Sequence, residues 1–382
     1  MYKSINLDKL DKSKWQSFTF EQIAKKITET VQPSEADVDI YVGLEHINPN
    51  DLHIRRKSNP SKVKGGKLRC YPGDVIFGKR RAYQRKAAIV DFEGICSAHA
   101  FVFRAISEVI NPQLFPFFLH SDQFMHRMID ISVGGLSPTI NWNDLKHQEF
   151  LLPPKFLQDE LTELLISLDK KIEAERKFLN CLENVKKSLS AETFISNKMI
   201  SLGDDKYFKI LASGINKFEN NKDYISTKCV QGFQINTTEG HISFDKRPSR
   251  ANMQPVKSSL WFAKMKNTIK VIKPSKKDLK KYIFSTGFCG IKPNLELVDL
   301  DYLFHFFLSS KFNAIKDSLS SGTTQKSINK TGIESIKIPI KDLKTQVEES
   351  SKLNLMVDSI QLVCRNLERL EKLNKSIINK II

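Results

Sequence analysis

The sequence predicts a mixed α/β (α+β) protein with two similar globular domains in tandem, each followed by a long helix. Three observations predict this: an apolar ladder with 4-3 spacing that occurs twice, matching segments before each ladder, and two basic stretches roughly 190 residues apart. A 3.5-residue apolar repeat held over several heptads is typical of a coiled-coil seam. Two seams in one register indicate an internal duplication.

The long helices are predicted at residues 156–200 and 342–382. Positions of the second ladder fall 188 residues after those of the first, and Asn374 then falls on Lys186, where both residues interrupt the apolar pattern. The periodicity alone leaves the orientation of a helix pair open. A seam from Leu161 to Leu189 is roughly 42 Å long, near the 34–36 Å of one DNA turn. The predicted seam residues are Leu161, Leu165, Leu168, Ile172, Leu179, Leu182, Leu189, Leu353, Met356, Ile360, Val363, Leu367, Leu370 and Ile377.

The first domain, residues 1–155, contains short elements separated by turn-forming residues. Pro153-Pro154 ends the domain, because a residue that precedes proline avoids the helical region. In chain order we expect a helix at 20–30, strands at 39–44 and 75–77, a loop or edge strand at 79–86, strands at 87–90 and 100–103, and a helix at 115–128.

The second domain, residues 201–341, repeats this order. Residues 260–264 correspond to 75–79, and residues 303–308 correspond to 114–119. Pro339 takes the place of Pro153. The globular segments have diverged more than the ladders that follow them.

Composition narrows the class of protein. The chain has 382 residues, which is long enough for two domains with their own cores. No apolar run approaches the roughly 20 residues of a membrane span. Residues 1–15 are charged and lack an apolar segment, so we expect no signal peptide and a cytoplasmic protein. The six cysteines form no Cys-x-x-Cys pair, which argues against a zinc site and favours reduced, mostly buried thiols.

The net charge of +17 is concentrated in two windows. Residues 53–86 and residues 246–281 each contain 12 Lys or Arg and one acid, so each has a net charge of +11 and the rest of the chain has −5. A generally basic surface would spread its charge evenly. Two confined patches, one in each repeat, favour a polyanion bound at two places, and nucleic acid is the first candidate.

The basic windows supply the candidate contacts to nucleic acid. Arginine can bond guanine edges, glutamine can read adenine, and lysine usually contacts phosphate. A solvated charged loop remains the alternative for any single residue. The candidates are Lys79, Arg80, Arg81, Tyr83, Gln84, Arg85 and Lys86, with Lys264, Lys266, Asn267 and Lys270 in the second repeat, and Arg55, Arg56, Arg247 and Arg250 as backbone contacts.

Catalytic motifs are missing from the sequence. No phosphate-binding loop of the Gly-x-x-x-x-Gly-Lys-Ser/Thr type occurs, and no Gly-rich turn follows a strand. Asp74, Asp91 and Glu93 have no lysine at the spacing of a nuclease and no counterpart in the second repeat. For His99 we favour a structural role over a DNA contact. We therefore expect no catalytic residue and no metal site.

The ordered motifs, present twice, resemble the specificity subunit of type I restriction-modification systems. The resemblance covers almost the whole chain and depends on residues 73–79 leading into 94–97, and on residues 260–266 leading into 285–288. The exit segments 150–154 and 336–339 complete it. Family exit segments commonly run from proline into Glu-Gln, whereas Lys155 follows here and Gln158 comes later.

The resemblance implies two target-recognition domains, each reading half of a split double-stranded DNA sequence. The helices would pair as an antiparallel coiled coil with pseudo-two-fold symmetry and set the unread gap. Two modification subunits would supply S-adenosylmethionine and the adenine-methylating site, and restriction subunits would supply ATP- and Mg-dependent functions. The chain itself would bind no cofactor. The alternative is a non-catalytic binder of RNA or single-stranded nucleic acid with two basic modules, which would need exposed aromatic side chains.

Overall fold

The computed structural model describes residue 7 and residues 10–322 and 326–382. The chain divides into two compact units. Unit 1 comprises Met1–Lys177 and Arg365–Ile382, and unit 2 comprises Phe178–Cys364. Each unit therefore contains one globular domain and a part of each long helix. The division into four consecutive segments stays a prediction.

The described residues of the first half of the chain form ten strands and five α-helices. They are β1 (Gln16–Thr19), α1 (Phe20–Ile23), β2 (Ala24–Ile27), β3 (Thr30–Val31), β4 (Tyr41–Val42), β5 (Lys67–Cys70), β6 (Val75–Gly78), β7 (Ala87–Ile89), β8 (Gly94–Cys96), β9 (Ala100–Ala105), α2 (Phe115–His120), α3 (Asp122–Asp130), α4 (Trp142–Leu145), β10 (Glu149–Leu152) and α5 (Lys155–Thr193).

The second half follows the same plan with additional short strands. Its elements are β11 (Met199–Ser201), β12 (Phe208–Leu211), β13 (Lys222–Ile225), β14 (Val230–Gln231), β15 (Gln234–Ile235), β16 (His241–Ile242), β17 (Ala251–Met253), β18 (Leu260–Ala263), β19 (Val271–Ile272), α6 (Lys276–Lys281), β20 (Tyr282–Ser285), β21 (Phe288–Pro293), α7 (Leu300–Leu308), α8 (Ser310–Ser318), β22 (Ser320–Ser321), β23 (Ser327–Ile328), α9 (Lys330–Ser335), β24 (Lys337–Pro339) and α10 (Leu343–Ile381).

Both long helices form where the apolar ladders predicted them. The second, α10, agrees with the predicted 342–382 to within a residue at each end. The first, α5, ends at Thr193 rather than at residue 200. The prediction ran too far, because Phe194 is buried in the core of unit 2 and Met199–Ser201 pairs as a strand with Lys337–Pro339.

The two units share the strand order of the first sheet and the centre of the second, whose outer strands differ (β3-β5-β8-β4 in unit 1, β16-β13-β20-β17 in unit 2). A four-stranded sheet has the order β2-β9-β6-β7 in unit 1 and β12-β21-β18-β19 in unit 2. A second sheet contains a parallel pair in each unit, β4 with β8 and β13 with β20. The strand before each long helix pairs with the strand that opens its domain, β10 with β1 and β24 with β11. The duplication inferred from sequence is therefore present in the topology.

The first sheet of each unit has two apolar faces, one towards helices and one towards the second sheet. In β6, Val75 and Phe77 pack into the helical core, whereas Ile76 joins the core between the sheets. In β18, Leu260 and Phe262 take the first role and Trp261 takes the second. Successive side chains of a strand point to opposite faces, so these uninterrupted apolar runs identify strands buried on both sides.

Two predicted helices of the first domain differ from the structure. Residues 20–30 were predicted as one helix, but helix α1 ends at Ile23 and Ala24–Ile27 pairs antiparallel with β9. The apolar spacing there fits a helix, and sheet pairing overrides it. The predicted helix at 115–128 is two helices, because Ser121 is extended and its hydroxyl accepts a hydrogen bond from the Phe124 N–H as the N-cap of α3.

The predicted seam side chains are all buried or half-buried, while other large apolar side chains on the same helices, such as Leu355 and Leu362, are exposed. Within unit 1, Leu161 and Leu165 of α5 belong to the same core as Ile377 and Ile378 of α10. Within unit 2, Leu189 packs against the core that contains Leu353. The apolar ladder therefore lies on the less exposed face of each helix, and its assignment to a coiled-coil seam stays a prediction.

A buried glutamine connects each domain to its long helix. The Gln158 side chain accepts a hydrogen bond from the Asn111 N–H and donates to the carbonyls of Val109 and Pro153, at 2.7 to 2.9 Å. Gln346, which lies 188 residues later, accepts from the Asp299 N–H and donates to the carbonyls of Leu297 and Lys341. Both side chains are at most 1% exposed. The same three bonds therefore recur in both repeats.

The remaining sequence expectations concern cysteines and membrane spans. All six cysteines are free, and Cys70, Cys96, Cys229 and Cys289 are buried. Of the helices in the described ranges, none combines the length and the apolar character that crossing a membrane requires.

Replacing Gln158 with Met should lower the free energy of unfolding by roughly 2–4 kcal/mol, because three backbone groups lose a buried partner while the side-chain volume is kept. Gln346→Met should have an effect of similar size. Chemical denaturation followed by circular dichroism measures both. Gln123→Met is the matched control, since Gln123 is exposed. An unchanged midpoint for Gln158→Met would contradict the role given to this side chain.

Replacing Asn374 with Leu should raise the melting temperature by a few degrees. The Asn374 Oδ1 atom is buried and has no hydrogen-bond partner, so an apolar side chain removes an unsatisfied acceptor worth about 1–3 kcal/mol. Differential scanning calorimetry of the full chain measures the change. Ser376→Leu, on an exposed position of the same helix, should not raise it. A lower melting temperature for Asn374→Leu would count against a seam position.

Candidate nucleic-acid interface

The predicted basic segment 79–86 is the turn of the β6–β7 hairpin in unit 1. Its centre is a single 3-10 turn, Ala82–Gln84, flanked by Arg81 and Arg85 in the left-handed region with φ of 53° and 51°. Non-glycine residues seldom adopt this conformation. Ala82 is buried, and Tyr83 is 53% exposed. The turn therefore buries Ala82 and exposes Tyr83. Contacts with neighbouring segments must stabilise its left-handed backbone.

The cations of this turn divide into exposed and engaged ones. Arg80 is exposed and lies beside His99, with 3.4 Å between the Nη1 and Nε2 atoms. Arg81 is exposed and donates to the Ser137 hydroxyl. The Lys79 ammonium lies over the Phe101 ring, and burial lowers its pKa. His99 itself is exposed, and its structural role stays a prediction.

Two further cations of the turn bind protein groups. The Lys86 ammonium donates to the Leu44 carbonyl at 2.6 Å. The Arg85 guanidinium donates to the Asn50 side chain and the His120 carbonyl and pairs with Asp122 at 2.7 Å. Gln84 is half-buried next to Arg85. Arg80, Arg81 and Tyr83 are thus the side chains that this turn leaves most accessible.

Unit 2 presents an equivalent turn between β18 and β19. Its Lys270 ammonium donates to the Thr227 carbonyl at 2.7 Å, which repeats the bond from Lys86 to Leu44. Asn267 is exposed and has a left-handed φ of 56°. Lys264 and Lys266 are half-buried. The repeat therefore keeps one lysine as a structural donor and changes the rest of the turn.

The four arginines outside the turns have different surroundings. Arg55 forms a bidentate pair with Glu173 at 2.6 Å and a second pair with Asp51, and the hydrogen bond to Glu173 raises its pKa. Arg56 is exposed and donates to the Glu45 carbonyl. In unit 2, Arg247 stacks on Phe244 and Arg250 is exposed. The DNA contacts assigned to all these residues stay predictions.

A cavity of about 750 Å³ in unit 1 lies among the loop at residues 48–55, the middle of α5 and the end of α10. Of the described residues, His53, Asp169 and Glu173 form the one group with metal-ligand character, their ligand atoms all within 4.8 Å of one another. His53 Nε2 lies 2.9 Å from Asp169, and that hydrogen bond raises the pKa of the imidazole. Because both Glu173 oxygens accept from Arg55, a metal ion would have to displace the guanidinium.

The acidic trio considered for nuclease chemistry serves the fold. Asp74 is fully buried and pairs with Arg104 at 2.7 Å. Asp91 and Glu93 are exposed and pair with Lys57 and Arg69. The three carboxylates therefore have separate cationic partners, as expected for structural ion pairs.

Sequence reasoning missed the two buried glutamines and the fixed roles of Lys86 and Lys270. Gln158 and Gln346 have the same 188-residue offset as the seam, so comparison of all polar positions at that offset would have found them. Lys86 and Lys270 end turns of different length, so the 188-residue offset of the seam does not relate them. Their roles follow only from the coordinates.

Comparisons with known proteins agree with the duplicated topology. A family model described as the type I restriction modification DNA specificity domain matches residues 12–184 and 205–372. A curated relative from Methanocaldococcus jannaschii, named as the MjaX type I restriction enzyme specificity subunit, is 22% identical, and the match covers 93% of this chain and 85% of the relative.

Two solved structures have a similar fold. The type I restriction-modification S subunit from M. genitalium matches with a TM-score of 0.61 at 13% identity, over 98% of both chains. A chain from a study of complex assembly and conformational transition of the type I R-M system matches with a TM-score of 0.56 at 16% identity, over 96% of this chain and 97% of that chain. At these identities the likeness supports the fold.

Acid should destabilise the fold through His120, which is buried beneath the turn at 79–86. Burial lowers the pKa of His120 to about 4, below the roughly 6.5 of an unfolded histidine. The unfolded chain then binds more protons, so this contribution is present above about pH 6.5 and is lost as pH falls towards 4. His120→Gln, which keeps an N–H donor for the Ala87 carbonyl, should reduce the loss between pH 7 and 4.5 by about 2 kcal/mol.

Denaturant unfolding at a series of pH values measures this contribution. His126→Gln is the control, because His126 is exposed on the neighbouring helix α3. Equal pH slopes for wild type and His120→Gln would contradict the neutral, buried state of His120.

Proposed function

Because the chain belongs to the family of type I restriction-modification DNA specificity subunits, we propose that it reads a split double-stranded DNA sequence through its two hairpin turns, residues 79–86 and 264–270. Specificity subunits are the non-catalytic DNA-recognition components of these systems. The observation that carries the proposal is the basic turn at the same place in the same sheet of both units. Each turn follows an inner strand of a buried, apolar sheet, so the first residue of the turn has a fixed position.

The first turn would read bases with its accessible side chains. Arg80 and Arg81 have the donors for guanine edges, and Tyr83 offers an exposed ring. Asn267 and Lys266 take this place in the second turn. Arg56 and Arg250 would contact phosphates, which fix position without reading sequence. Lys86 and Lys270 would hold their turns in shape.

The long helices would form an antiparallel coiled coil that spaces the two half-sites. Support comes from the full or partial burial of every predicted seam residue and from the ion pair in unit 1 between Arg176 of α5 and Glu371 of α10, at 2.6 Å. That contact joins the middle of one helix to the last third of the other. The polar residues Lys186 and Asn374 within the seam would fix its register.

The wider complex follows from the family. DNA and the methyltransferase and restriction components of a type I system are the general partners, and we propose two modification subunits with restriction subunits added to them. S-adenosylmethionine, ATP and Mg would bind to those subunits rather than to this chain. Such a complex would work in the cytoplasm.

The alternative, a binder of RNA or single strands, is not favoured. Stacking on unpaired bases needs a row of exposed aromatic side chains. Tyr83 is the one aromatic residue in the sequence of the two turns, so neither turn offers such a row. Most phenylalanines lie in the cores instead.

Selection from a pool of random-sequence duplexes should return two short conserved blocks separated by an unread gap. The triple variant in which Ala replaces Arg80, Arg81 and Tyr83 should lose at least tenfold enrichment of one block. Each good base contact contributes about 1–3 kcal/mol of discrimination. Replacing Lys266 and Asn267 should degrade the other. The full chain is purified with the subunits that accompany it, and sequencing of bound duplexes gives the result.

Two controls complete this experiment. The double variant Lys62→Ala/Lys64→Ala removes two exposed cations of the same basic window that lie outside the turn. It should weaken binding to all duplexes equally. The slope of log K against log salt concentration should fall by about 0.9 per lost phosphate contact. A single-stranded competitor should displace little duplex. Loss of both blocks from the first triple replacement in a folded protein would refute modular reading.

A further inference from the structure

The turn at residues 79–86 is held by contacts with other segments as well as by its own hydrogen bonds. Arg81 and Arg85 both have left-handed backbones, and Asn50, which contacts the turn, is also left-handed with φ of 55°. The Asn50 N–H donates to the Arg85 carbonyl at 3.0 Å. A backbone of this kind persists where neighbouring groups over-determine it. The groups that bind Arg85 therefore help to hold the turn, together with the Pro138 carbonyl, which accepts a hydrogen bond from the Arg81 N–H at 2.7 Å.

Arg85 is held on three sides. Its Nε donates to Asn50 Oδ1 at 2.8 Å, one Nη2 hydrogen donates to the His120 carbonyl at 2.8 Å, and its Nη1 pairs with Asp122 Oδ1 at 2.7 Å. The side chain is 15% exposed. A planar guanidinium with every nitrogen engaged has a fixed orientation. Of the three partners, Asp122 alone is charged.

Asp122 is in turn bound by the end of the chain. The Asp122 N–H donates to Asn379 Oδ1 at 2.8 Å, and Asn379 Nδ2 donates to Asp122 Oδ2 at 2.7 Å. Lys375 lies one turn earlier on α10, with its ammonium 3.4 Å from Asp122 Oδ1. Asn379 and Lys375 therefore occupy both oxygens and the backbone of the residue that orients Arg85.

We propose that Asn379 and Lys375 are positioning residues for the recognition turn of the first domain, acting through Asp122 and Arg85. The last turns of α10 would then help to decide which bases that domain reads, although they follow the second domain in the sequence. This inference rests on the proposed function of residues 79–86 as a DNA reader. It goes beyond that function by placing a specificity determinant outside the recognition domain.

The second turn is braced differently. The Asn267 N–H donates to Asp317 Oδ1 at 3.1 Å, and the buried Lys316 donates to the Met265 carbonyl at 2.6 Å. Both bracing residues lie on α8, within the second domain's own sequence. Changes at the end of α10 should consequently affect the reading of one half-site and spare the other.

Trypsin provides a test that needs no DNA, because the turn contains Lys79, Arg80, Arg81, Arg85 and Lys86 as cleavage sites. The full-length double variant Asn379→Ala/Lys375→Ala should be cleaved within the turn at least fivefold faster than wild type. The control is Ser376→Ala/Lys372→Ala, which removes one lysine and one small polar side chain from exposed positions of the same helix. Mass spectrometry locates the first cut, and the melting temperature shows that each variant is folded.

A second test measures specificity. In selection from random duplexes, the double variant should lose at least tenfold enrichment in the block that Arg80, Arg81 and Tyr83 control, and keep the other block. Lys375→Arg with Asn379 intact should retain wild-type reading, because it keeps the cation beside Asp122. A variant that merely destabilises the protein would weaken both blocks together.

The outcomes separate the two claims. Cleavage of the double variant at the rate of its control would overturn the brace. Faster cleavage with both blocks intact would overturn its effect on specificity. A wild-type chain that selects no paired blocks would refute the proposed DNA-reading function, and the trypsin comparison would still decide whether the end of α10 holds the turn.

Discussion

The burial of each globular domain against its long helix is the constraint on which both units depend. A helix of this length with one apolar face is not stable alone, and most of its stability comes from packing. Gln158 and Gln346 contribute to that packing, because each forms two hydrogen bonds to the loop before α2 or α7 and a third to a carbonyl just before its own helix. These bonds attach the start of each long helix to the domain that precedes it.

The sequence predicted the large features because they follow from periodicity. The 3.5-residue ladder located the packed face of α5 and α10, and the 188-residue offset identified the repeat. Local competition was harder to predict. Residues 20–30 have helical spacing, yet residues 24–27 complete the edge of a sheet whose other strands come from later in the chain. Such pairing depends on partners about 80 residues away and leaves no mark in a local window.

The sequence predicted which segments form the candidate site, but it did not predict the role of each side chain in them. Charge counting found both basic windows, because it needs only composition. It could not separate Lys86 and Lys270, which bond backbone carbonyls, from Arg80 and Arg81, which remain exposed. Arg55 illustrates the same limit, since its partner Glu173 lies 118 residues away on α5. The cations available to a polyanion are therefore fewer than the dozen in each window, and the electrostatic part of binding is correspondingly smaller.

The two turns are supported by different groups in the two repeats, although the sheet below them has the same strand order. If the turns read DNA as proposed, they must accept different side chains at their tips, so the groups that fix their backbones have to lie elsewhere. In unit 1 these groups are Asn50, His120 and Asp122, and Asp122 is itself bound by α10. In unit 2 they are Lys316 and Asp317 of α8. The sheet below each turn is common to both repeats and the brace is not. The residues that hold each turn have therefore diverged as well as the exposed residues of the turn. Exchanging only the exposed residues between the two repeats would place them on a turn that different groups hold.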